Sequence, residues 1–565
     1  MDSGFQQVLD PLHSVAGGTL LALVPVVVLL LLLAVFKMSA WQAVIIGSIV
    51  TVLLGILVWR LPAGAAGQAY GLGAATGVWS VDWIVFWGVI IYNTLVVTGA
   101  FDSFKRWLIH QATADIRVQT LLMAWAFGAL MEGLVGFGYP WAVVAPILIA
   151  LGVADLAAIR VAAIANNAPV SFGALGAPII GLAAVTGLPL MSLSQSIGRI
   201  VAILALLPPW ILIYLVSGKR GLRDGWPLAI VGSLGYIAGQ FPVAEFVGPY
   251  LPDITGSIVC FGALLLLLKV WRPKVQLGFG GVELPAEEPA LAISGARAGT
   301  TRRMEGASER AEGEIGAPPG GAKLGRRDVV RGMLPFLILI VVVIAWTGPW
   351  SPLPKWKAYE PTITARGSLT GQAVSASWGF APAIAGTAIL VSWLLIALYL
   401  RPDGRQLRQV FRDTFSQMWG ALLVGPFIFG LAYVFNFSGM ANTMANGFSK
   451  VGTVYIVLAP VLGWIAVALS GSNTSSNAVF GQFQYSVAKL LGAPALIFPS
   501  LNSVGAEVGK PVAPQTASVG VSTTGFVRNE GEVIRYNMAW TLVILVYLIG
   551  IGCLYYFLIP GAMQV

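Results

Sequence analysis

Apolar stretches about as long as a membrane-crossing helix recur along most of the chain. A helix needs roughly 20 mostly apolar residues to cross the hydrocarbon layer of a bilayer. The stretches that meet this requirement are 18–36, 40–59, 82–100, 191–217, 226–247, 254–271, 333–350, 380–400, 416–435 and 536–559. Stretches 118–187 and 452–526 are equally apolar, but Gly, Pro, Ser and Asn interrupt them, which is typical of broken membrane helices. The pattern predicts an all-α, multi-pass membrane protein with about 12 to 14 transmembrane helices.

The order of these elements is the same in the two halves of the chain. Three spans are followed by an amphipathic stretch, a segment with two gaps and a closing span, first in 18–217 and again in 333–559. The amphipathic stretch 101–117 carries three basic residues, whereas its counterpart 437–452 carries only Lys450. This difference predicts two repeats of inverted topology. Inverted repeats with discontinuous helices are typical of secondary transporters that bind their substrate near the bilayer midplane.

The chain divides into three parts. Residues 1–271 contain the first half and an extra helix pair, 226–247 and 254–271. Residues 272–330 are rich in Gly, Ala, Glu and Arg and almost free of aromatic residues, so they cannot bury enough apolar area to fold alone. We expect a flexible cytoplasmic linker there. Residues 331–565 form the second, inverted half.

Composition and charge agree with a membrane protein. Hydrophobic residues make up 57% of the chain and charged residues 10%, which leaves too little polar surface to coat a soluble domain. The formal net charge is +9, and the basic residues gather at Lys37, 105–117, 219–223, 269–274, 326–331, 401–412 and 528–535. Placing all these clusters on the cytoplasmic side requires both termini outside. The charge therefore indicates orientation in a lipid bilayer, and we expect no nucleic acid as a partner.

Glu132 is a single carboxylate in an otherwise apolar segment, MEGLVGFGYP. A carboxylate at the centre of a bilayer costs about 2.5–3.5 kcal/mol on insertion scales. Glu132 is therefore expected to face a polar cavity, pair with a cation or bind a proton. Gly133, Gly136 and Gly138 follow it and mark a gap in the helix. The alternative is structural, with the carboxylate only capping the next half-helix.

The second gap of the first half lies in VAAIANNAPVSFGALGAPII, residues 161–180. Asn166 and Ser171 can donate hydrogen bonds to a substrate carboxylate and hydroxyl, and a carbonyl oxygen there can bind a cation. Gly173, near the same break, is better explained by close helix packing. Arg199 begins the closing span, where an Arg that reaches the membrane surface is the ordinary case, yet its guanidinium also suits a carboxylate.

The first gap of the second half, ALSGSNTSSNAVFGQ at 468–482, concentrates small polar residues between apolar runs. Ser472, Asn473, Thr474 and Ser475 can surround a substrate carboxylate or a sodium ion. A helix cap would account for one or two of them.

Lys510 lies in the last gap, NSVGAEVGKPVAPQTASVG at 502–520. A cation at membrane depth is a natural counter-charge for a monocarboxylate, and it can neutralise Glu132 when the site is empty. The alternative is a lysine at the membrane surface whose stem lies along apolar residues while its ammonium reaches water.

The sequence contains no motif of a catalytic or metal site. No Ser-His-Asp order, HExxH motif, CxxC pair or Walker loop occurs. With two His and two Cys, and both Cys in predicted spans, an enzyme would have to work through carboxylates alone. We therefore expect a transporter and not an enzyme, with no cofactor and no metal.

Four of these motifs together resemble the L-lactate permease family. They are MEGLVGFGYP, NNAPVSFGALGAP, SGSNTSSNAVF and GKPVAPQTASV, and the resemblance covers nearly all of the chain outside the linker. PDITGSIVCFGALLLLLKVWRP also resembles the family's region before the linker. The resemblance implies proton-coupled uptake of L-lactate and related 2-hydroxymonocarboxylates such as glycolate across the cell (inner) membrane.

The resemblance also implies site residues and one departure. The residues at the family's positions are Glu132, Asn166, Arg199, Lys510 and Gln515. Asn473 departs from the pattern, because an Asp is expected there. An amide cannot carry a proton, so either Glu132 alone binds the coupled proton or coupling differs in this chain.

The resulting hypothesis is a proton symporter with an elevator-like motion of the broken segments. Lys510 holds the substrate carboxylate, with Arg199 as a second candidate. Hydroxyl and amide groups of the gaps also bind this carboxylate, and Glu132 binds the coupled proton. Protonation removes a buried charge, so the loaded carrier crosses the apolar barrier at lower cost. Sodium coupling, favoured by Asn473, stays open, as does a membrane sensor or enzyme without flux. The sequence makes no prediction of oligomeric state.

Overall fold

The structure is a computed structural model that describes residues 2–111, 113–136, 138–284, 325–369, 373–522 and 530–565. The helices of the first half are α1 (Val15–Ala34), α2 (Ala40–Leu57), α3 (Ala63–Thr76), α4 (Trp83–Val97), α5 (Ala100–Gln111), α6 (Ile116–Thr120), α7 (Phe127–Leu134), α8 (Tyr139–Ala150), α9 (Asp155–Ala165), α10 (Gly173–Thr186), α11 (Leu190–Leu204), α12 (Pro208–Phe246) and α13 (Pro252–Val270).

The helices of the second half are α14 (Arg326–Thr347), α15 (Ala385–Leu400), α16 (Gly404–Phe437), α17 (Met440–Phe448), α18 (Tyr455–Ser470), α19 (Asn473–Leu491), α20 (Ile497–Gly509), α21 (Pro514–Ser522) and α22 (Glu530–Cys553). Three short strands are also present, β1 (Asp2–Gln6), β2 (Thr362–Arg366) and β3 (Ala373–Ser377). The predicted helical multi-pass membrane fold is confirmed, apart from this small sheet.

Nine helices in the described ranges are long and apolar enough to cross a membrane, or ten when the bent pair of α9 and α10 counts as one span. The predicted number is larger because the broken helices are divided into short pieces and because Leu190–Phe246 contains two predicted spans. The 57 residues of that stretch would extend about 85 Å at 1.5 Å per residue, far more than the hydrocarbon layer. Gly218, with φ 66°, interrupts the helix between the predicted spans 191–217 and 226–247. The first of these spans is itself divided at 205–207, between α11 and α12.

Helix α3 is not predicted by the apolar pattern, because its sequence AGAAGQAYGLGAAT contains few long apolar side chains. A π-helical turn, Gly77–Asp82, joins α3 to α4 in one 35-residue helix, Ala63–Val97. We call Gly77–Asp82 the π-turn. Gly73 of α3 and Gly77 of the π-turn allow α16 to approach closely, since a Cβ at either position would collide with the α16 backbone.

Two groups of helices meet at the centre of the protein. In the scaffold group, which comprises α1 to α4 and α14 to α16, α16 packs along α2, α3 and α4, and α15 packs on α4 and α14. In the broken-helix group, which comprises α7 to α10 and α18 to α21, α10 packs on α19, and α20 packs on α18 and α19. Contacts of α10 with α4 and of α16 with α19 join the two groups.

Several of the basic loops lie on one face. Arg117 donates hydrogen bonds to the carbonyl oxygens of Gly221 at 3.2 Å and Val275 at 2.8 Å. Arg331, in the first turns of α14, donates to the carbonyl oxygen of Thr98 at 3.1 Å. The basic clusters near 117, 221 and 275 are therefore neighbours, and the start of α14 lies at the end of α4, as a common cytoplasmic side requires.

The sheet lies at the opposite end of α14. Strand β1 pairs parallel with β2, and β2 pairs antiparallel with β3, so the sheet joins the N-terminal residues to the segment between α14 and α15. Helix α14 has 22 residues and extends about 33 Å from the basic face. The N-terminal strand is therefore on the face opposite to the basic loops.

The first residues of the predicted linker are packed rather than free. The carbonyl oxygen of Leu277 accepts from the backbone N–H of Ile116 at 2.8 Å, and the N–H of Leu277 donates to Asp115 Oδ2 at 3.2 Å. The N–H of Leu284 donates to the carbonyl oxygen of Gln276 at 2.9 Å and closes a short turn. The predicted flexibility therefore does not extend to 275–284. Residues 285–324 lie outside the described residues.

Candidate substrate site

The first gap separates α7 from α8. Gly136 and Gly138 have φ angles of 67° and 82°, which residues with a side chain rarely adopt. Glu132 lies in the last turn of α7, and its side chain is buried. Gly133 serves close packing, because a Cβ there would lie 2.8 Å from the Cβ of Asp253 on α13.

The second gap separates α9 from α10, with a bend of 67° between them. Gly173 at the start of α10 packs directly on Glu132, since a Cβ at this position would lie 2.6 Å from Glu132 Oε1. Ala174 and Leu175 follow in the left-handed region, with φ angles of 46° and 57°. This conformation costs about 1–2 kcal/mol per residue, and backbone strain of this kind concentrates at functional sites.

The third gap separates α18 from α19. Gly471 has a φ of 75°, and Ser472 caps α19 by accepting hydrogen bonds from the backbone N–H of Ser475 at 3.2 Å and its hydroxyl at 3.0 Å. The helix-cap explanation therefore accounts for Ser472. Gln515 of α21 lies against this break, because a Cβ at Gly471 would lie 2.7 Å from Gln515 Oε1.

The fourth gap separates α20 from α21. A short 3₁₀ turn, Lys510–Val512, follows α20 and leads to Pro514 at the start of α21. Pro511 and Pro514 have no backbone N–H to donate, so they cannot continue the hydrogen bonding of α20. Lys510 is therefore held at the end of a helix, at the point where the backbone changes direction.

Lys510 and Glu132 form an ion pair inside the protein. Lys510 Nζ lies 2.6 Å from Glu132 Oε1, and Asn166 Nδ2 donates to Glu132 Oε2 at 3.0 Å. Only 4% of Lys510 and 2% of Glu132 are exposed. Burying either charge alone would cost several kcal/mol, and each compensates the other here. A cation and an amide thus hold the Glu132 carboxylate, rather than the backbone of the next half-helix.

A cavity of about 380 Å³ lies beside this ion pair, between the scaffold group and the broken-helix group. The predicted site residues that line it are Glu132, Gly136, Gly173, Ser472, Asn473, Thr474, Ser475, Lys510 and Gln515. On the scaffold side it is lined by parts of α1, α2, α4 and α16, including Val85 and Phe429. The fold therefore brings residues from all four gaps to one cavity.

Asn166 and Ser171 lie behind the cavity wall. Asn166 supports the Glu132 carboxylate, whereas the backbone N–H of Ser171 donates to Glu507 Oε2 at 3.0 Å. The Ser171 hydroxyl lies 3.5 Å from that of Ser503. Both residues are buried, so in this conformation they contact other protein groups and not the cavity.

The structure does not bring Arg199 to the cavity. Its guanidinium forms an ion pair with Glu245 of α12, with Nε 3.1 Å from Oε2, and donates to the carbonyl oxygen of Ala562 at 2.6 Å. Its side chain is 27% exposed. Arg199 therefore ties α11 to α12 and to the C-terminal residues, which leaves its donors committed to protein groups.

Two buried carboxyl groups near the ion pair are missed by the sequence analysis. Asp253 packs against Gly133, the residue after Glu132, and Glu507 lies in the last turn of α20, three residues before Lys510. One oxygen of Asp253 accepts from the Tyr236 hydroxyl at 2.8 Å, but Asp253 Oδ2 and Glu507 Oε1 have no hydrogen-bond partner within the described part of the chain. Both are acidic residues within or beside predicted membrane segments, and an acidic residue in such a position is a sequence signal of a candidate functional group.

The scaffold side contributes a third missed carboxyl group, Asp82, which ends the π-turn and lines the cavity. At the start of the predicted span 82–100, an acidic residue is typical of a membrane surface. The apolar pattern alone therefore does not single it out.

A chain of buried amides holds α18, α19 and α20 together. Gln484 accepts from the Tyr455 hydroxyl at 2.8 Å and donates to Asn502 Oδ1 at 3.3 Å. Asn502 donates to Asn477 Oδ1 at 3.1 Å, and Asn477 donates to the Ser503 hydroxyl at 3.0 Å. Unsatisfied polar groups cost several kcal/mol in a membrane, so this chain stabilises the packing that presents the start of α19 to the cavity.

Comparisons with known proteins agree over nearly the whole length. A family model described as L-lactate permease matches residues 18–559. The glycolate permease of Escherichia coli K12 is 33% identical over 556 residues, which cover 95% of each chain. The L-lactate permease of Bacillus subtilis strain 168 is 31% identical over 558 residues, which cover 94% of this chain and 95% of its own.

Two solved transporter structures align at lower similarity. The YdaH transporter of Alcanivorax borkumensis has a TM-score of 0.45 and 15% identity, over 96% of this chain and 99% of its own. MtrF of Neisseria gonorrhoeae has a TM-score of 0.44 and 15% identity, over 90% and 85%. The sequence matches show that this multi-pass membrane protein is a permease and belongs to the L-lactate permease family.

Proposed function

We propose that the protein takes up L-lactate and related 2-hydroxymonocarboxylates such as glycolate by proton symport across the cell membrane. Relatives named as L-lactate and glycolate permeases support this substrate class. The proposal depends on one observation, the ion pair between Lys510 and Glu132 at the wall of a cavity.

This ion pair offers a direct way to couple an anion to a proton. In the empty site the Lys510 ammonium neutralises the Glu132 carboxylate. A substrate carboxylate that binds Lys510 displaces the Glu132 carboxylate from the ammonium. Glu132 is then buried without a cation, which favours binding of a proton by Glu132. The total charge is then the same with and without cargo, and the anion and the proton enter together.

The start of α19 can hold the substrate next to Lys510. Asn473, Thr474 and Ser475 form its first turn and line the cavity. A helix N-terminus carries partial positive charge and favours an anion. Gln515, against the break at Gly471, is the candidate partner for the substrate 2-hydroxyl.

The broken-helix group is the moving part in this proposal, and the scaffold group is the fixed part. The cavity lies between the groups, so their relative movement in an elevator-like motion would carry bound cargo across the bilayer. The cavity extends to Ser39 and Trp41, after the loop that contains Lys37. The charge pattern predicts a cytoplasmic position for this loop, and we interpret the conformation as one accessible from the cytoplasm.

Proteoliposomes test the proposal with labelled L-lactate, and the pH and sodium gradients are varied independently. We expect lactate to accumulate against its gradient when a proton gradient is imposed, with no dependence on sodium. Absence of accumulation under the proton gradient would refute symport. Lactate binding without any flux would instead favour a membrane sensor.

Sodium coupling is the second candidate, and a specific observation favours it. Asn166 Oδ1 and Asn473 Oδ1 are buried and accept no hydrogen bond from any described residue, so both oxygens are available to a cation. Accumulation driven by a sodium gradient at constant pH would establish this alternative.

A further inference from the structure

Helix α16 extends from the basic face of the protein to the sheet. It begins at Gly404, among the basic residues of 401–412, and ends at Phe437. At this end the carbonyl oxygens of Asn436 and Phe437 each accept a hydrogen bond at 3.0 Å from the side chain of Gln7, which follows strand β1. The last turns of α16 therefore lie at the face opposite to the basic loops, which the charge pattern places outside.

The cavity ends along α16 before it reaches this outer face. Gly420 and Phe429 are the first and the last residues of α16 that line it. At Phe429 the helix packs on α10 of the broken-helix group, because a Cβ at Gly181 would lie 2.9 Å from the tip of the Phe429 ring. Contact between these two helices therefore separates this side of the cavity from the outside.

Two side chains of α16 bind the end of α10 farther towards the outer face. The Tyr433 hydroxyl lies 3.3 Å from the carbonyl oxygen of Ala184, and Asn436 Nδ2 donates to the carbonyl oxygen of Val185 at 3.2 Å. Both carbonyl groups belong to the last turn of α10, where a helix has no partner of its own for its carbonyl oxygens. The scaffold group thus supplies hydrogen bonds that the moving group lacks.

The Tyr433 hydroxyl also has acceptors that belong to the scaffold side. The carbonyl oxygen of Ser377 in β3 and the hydroxyl of Thr76 in α3 both lie 3.2 Å from it. A tyrosine hydroxyl has one hydrogen to donate, so it binds one of these acceptors at a time. Asn436 differs, because Val185 supplies the one acceptor of its Nδ2 within the described part of the chain.

We propose that these contacts form an outer gate, which is closed in this conformation and opens when the broken-helix group moves away from the end of α16. The inference rests on the proposed function, because it assumes that the two groups move and that the cavity is accessible from the cytoplasm here. Asn436 stabilises only the closed gate, since opening breaks its bond to Val185. Tyr433 transfers its hydrogen bond from Ala184 to Ser377 or Thr76, so its buried hydroxyl keeps a partner in both states.

The test measures how fast a charged methanethiosulfonate, which does not cross membranes, labels a cysteine of the cavity from outside. The full-length protein carries Val519→Cys in the cavity wall, has Ser in place of Cys260 and Cys553, and is studied in right-side-out vesicles. We expect slow labelling of this parent protein. Asn436→Leu should raise the rate by about threefold to tenfold, as one hydrogen bond lost from the closed state predicts, and Tyr433→Phe by less than about twofold.

Asn93→Leu is the matched control. Asn93 is a buried asparagine whose amide donates to Thr414 and Gln417 of α16, so its hydrogen bonds stay within the scaffold group. It should label at the parent rate. An unchanged rate in Asn436→Leu, or an equal rise in Asn93→Leu, would overturn the gate.

A cross-link tests the gate without weakening a contact. Val185→Cys and Asn436→Cys are joined by a bifunctional methanethiosulfonate in the same cysteine-free background. We expect the cross-link to abolish lactate uptake and a reductant to restore it. Continued uptake by the cross-linked protein would refute the gate.

Lactate accumulation by the wild type under a proton gradient reports on the proposed function separately. If the wild type accumulates lactate and Asn436→Leu labels at the parent rate, the gate inference fails and the proposed function stands. If Asn436→Leu labels faster than its control and the wild type accumulates no lactate, the gate is supported and proton coupling is refuted.

Discussion

Lys510 Nζ lies 2.6 Å from Glu132 Oε1, although 378 positions separate the two residues in the chain. Each residue stands beside a break in a helix, one in each half of the protein. The pair is buried, and its two charges face one cavity. The contact therefore joins the two halves at the point where an anionic substrate can compete for the lysine.

Replacing Glu132 with Gln removes the group that binds the coupled proton and nearly preserves its shape. We expect Glu132→Gln to lose proton-driven accumulation of lactate while exchange across the membrane survives, because Lys510 remains available to the substrate. Both activities are measured in the same vesicles. Glu283→Gln, at an exposed pair with Arg220 worth about 0–1 kcal/mol, is the control and should change neither. Unchanged accumulation in Glu132→Gln would remove Glu132 from the coupling role.

Loss of the lysine leaves the Glu132 carboxylate without its cation. We expect Lys510→Met to destabilise the protein by about 3–5 kcal/mol. The double variant with Glu132→Gln should recover most of this stability but should show no lactate uptake. Thermal unfolding in detergent gives the stability change, and vesicle uptake gives the function. Additive effects of the two substitutions on stability would contradict the ion pair.

A methyl group at position 173 would occupy the space of the Glu132 carboxylate. A Cβ there would lie 2.6 Å from Oε1, so Gly173→Ala should push the carboxylate away from Lys510 and lower the lactate uptake rate by about tenfold or more. Gly262→Ala is the matched control, because a Cβ at that position in α13 meets no atom within 4 Å. Equal uptake by the two variants would show that the position of the carboxylate is not critical.

Asn473 donates from Nδ2 to the carbonyl oxygen of Ser503 at 3.1 Å in a buried environment. An Asp at this position keeps the hydrogen bond only when it is protonated. We therefore expect Asn473→Asp to lose more uptake than the wild type when the pH is raised, as measured from initial rates at acidic and alkaline pH. Asn473→Ala lacks the hydrogen bond at every pH. It therefore shows how much uptake is lost with the bond alone, apart from any effect of protonating an Asp at this position. A wild-type pH profile in Asn473→Asp would argue against this contact.

The contacts of Arg199 predict a structural role instead of substrate binding. We expect Arg199→Ala to lower stability by about 1–2 kcal/mol, through the partly exposed pair with Glu245 and the hydrogen bond to Ala562, without changing the KM for lactate. Thermal unfolding and the concentration dependence of uptake check the two parts. A large rise in KM at unchanged stability would restore Arg199 to the substrate site.

Several features of this protein follow from local sequence alone. The length of an apolar stretch decides whether a helix can cross a membrane, and Gly and Pro limit which backbone angles are possible. The breaks beside Glu132, Gly173, Gly471 and Lys510 were predictable for this reason, as were most of the spans. The Gly- and Ala-rich α3 was not, because it combines little apolar side-chain area with packing against α16 that local sequence does not reveal.

Which gap residues meet was decided only by the tertiary structure. An ion pair between Glu132 and Lys510 depends on how two halves pack, and the sequence carries no signal of that distance. The same packing commits Arg199 to Glu245 and turns Asn166 towards a carboxylate instead of the cavity. It also makes Asp82, at the edge of a predicted span, part of the cavity wall. By itself the sequence determined where the backbone breaks, because Gly and Pro act on the backbone locally; the burial of Glu507 and Asp253 and the partner of each charge depended on contacts between residues far apart in the chain.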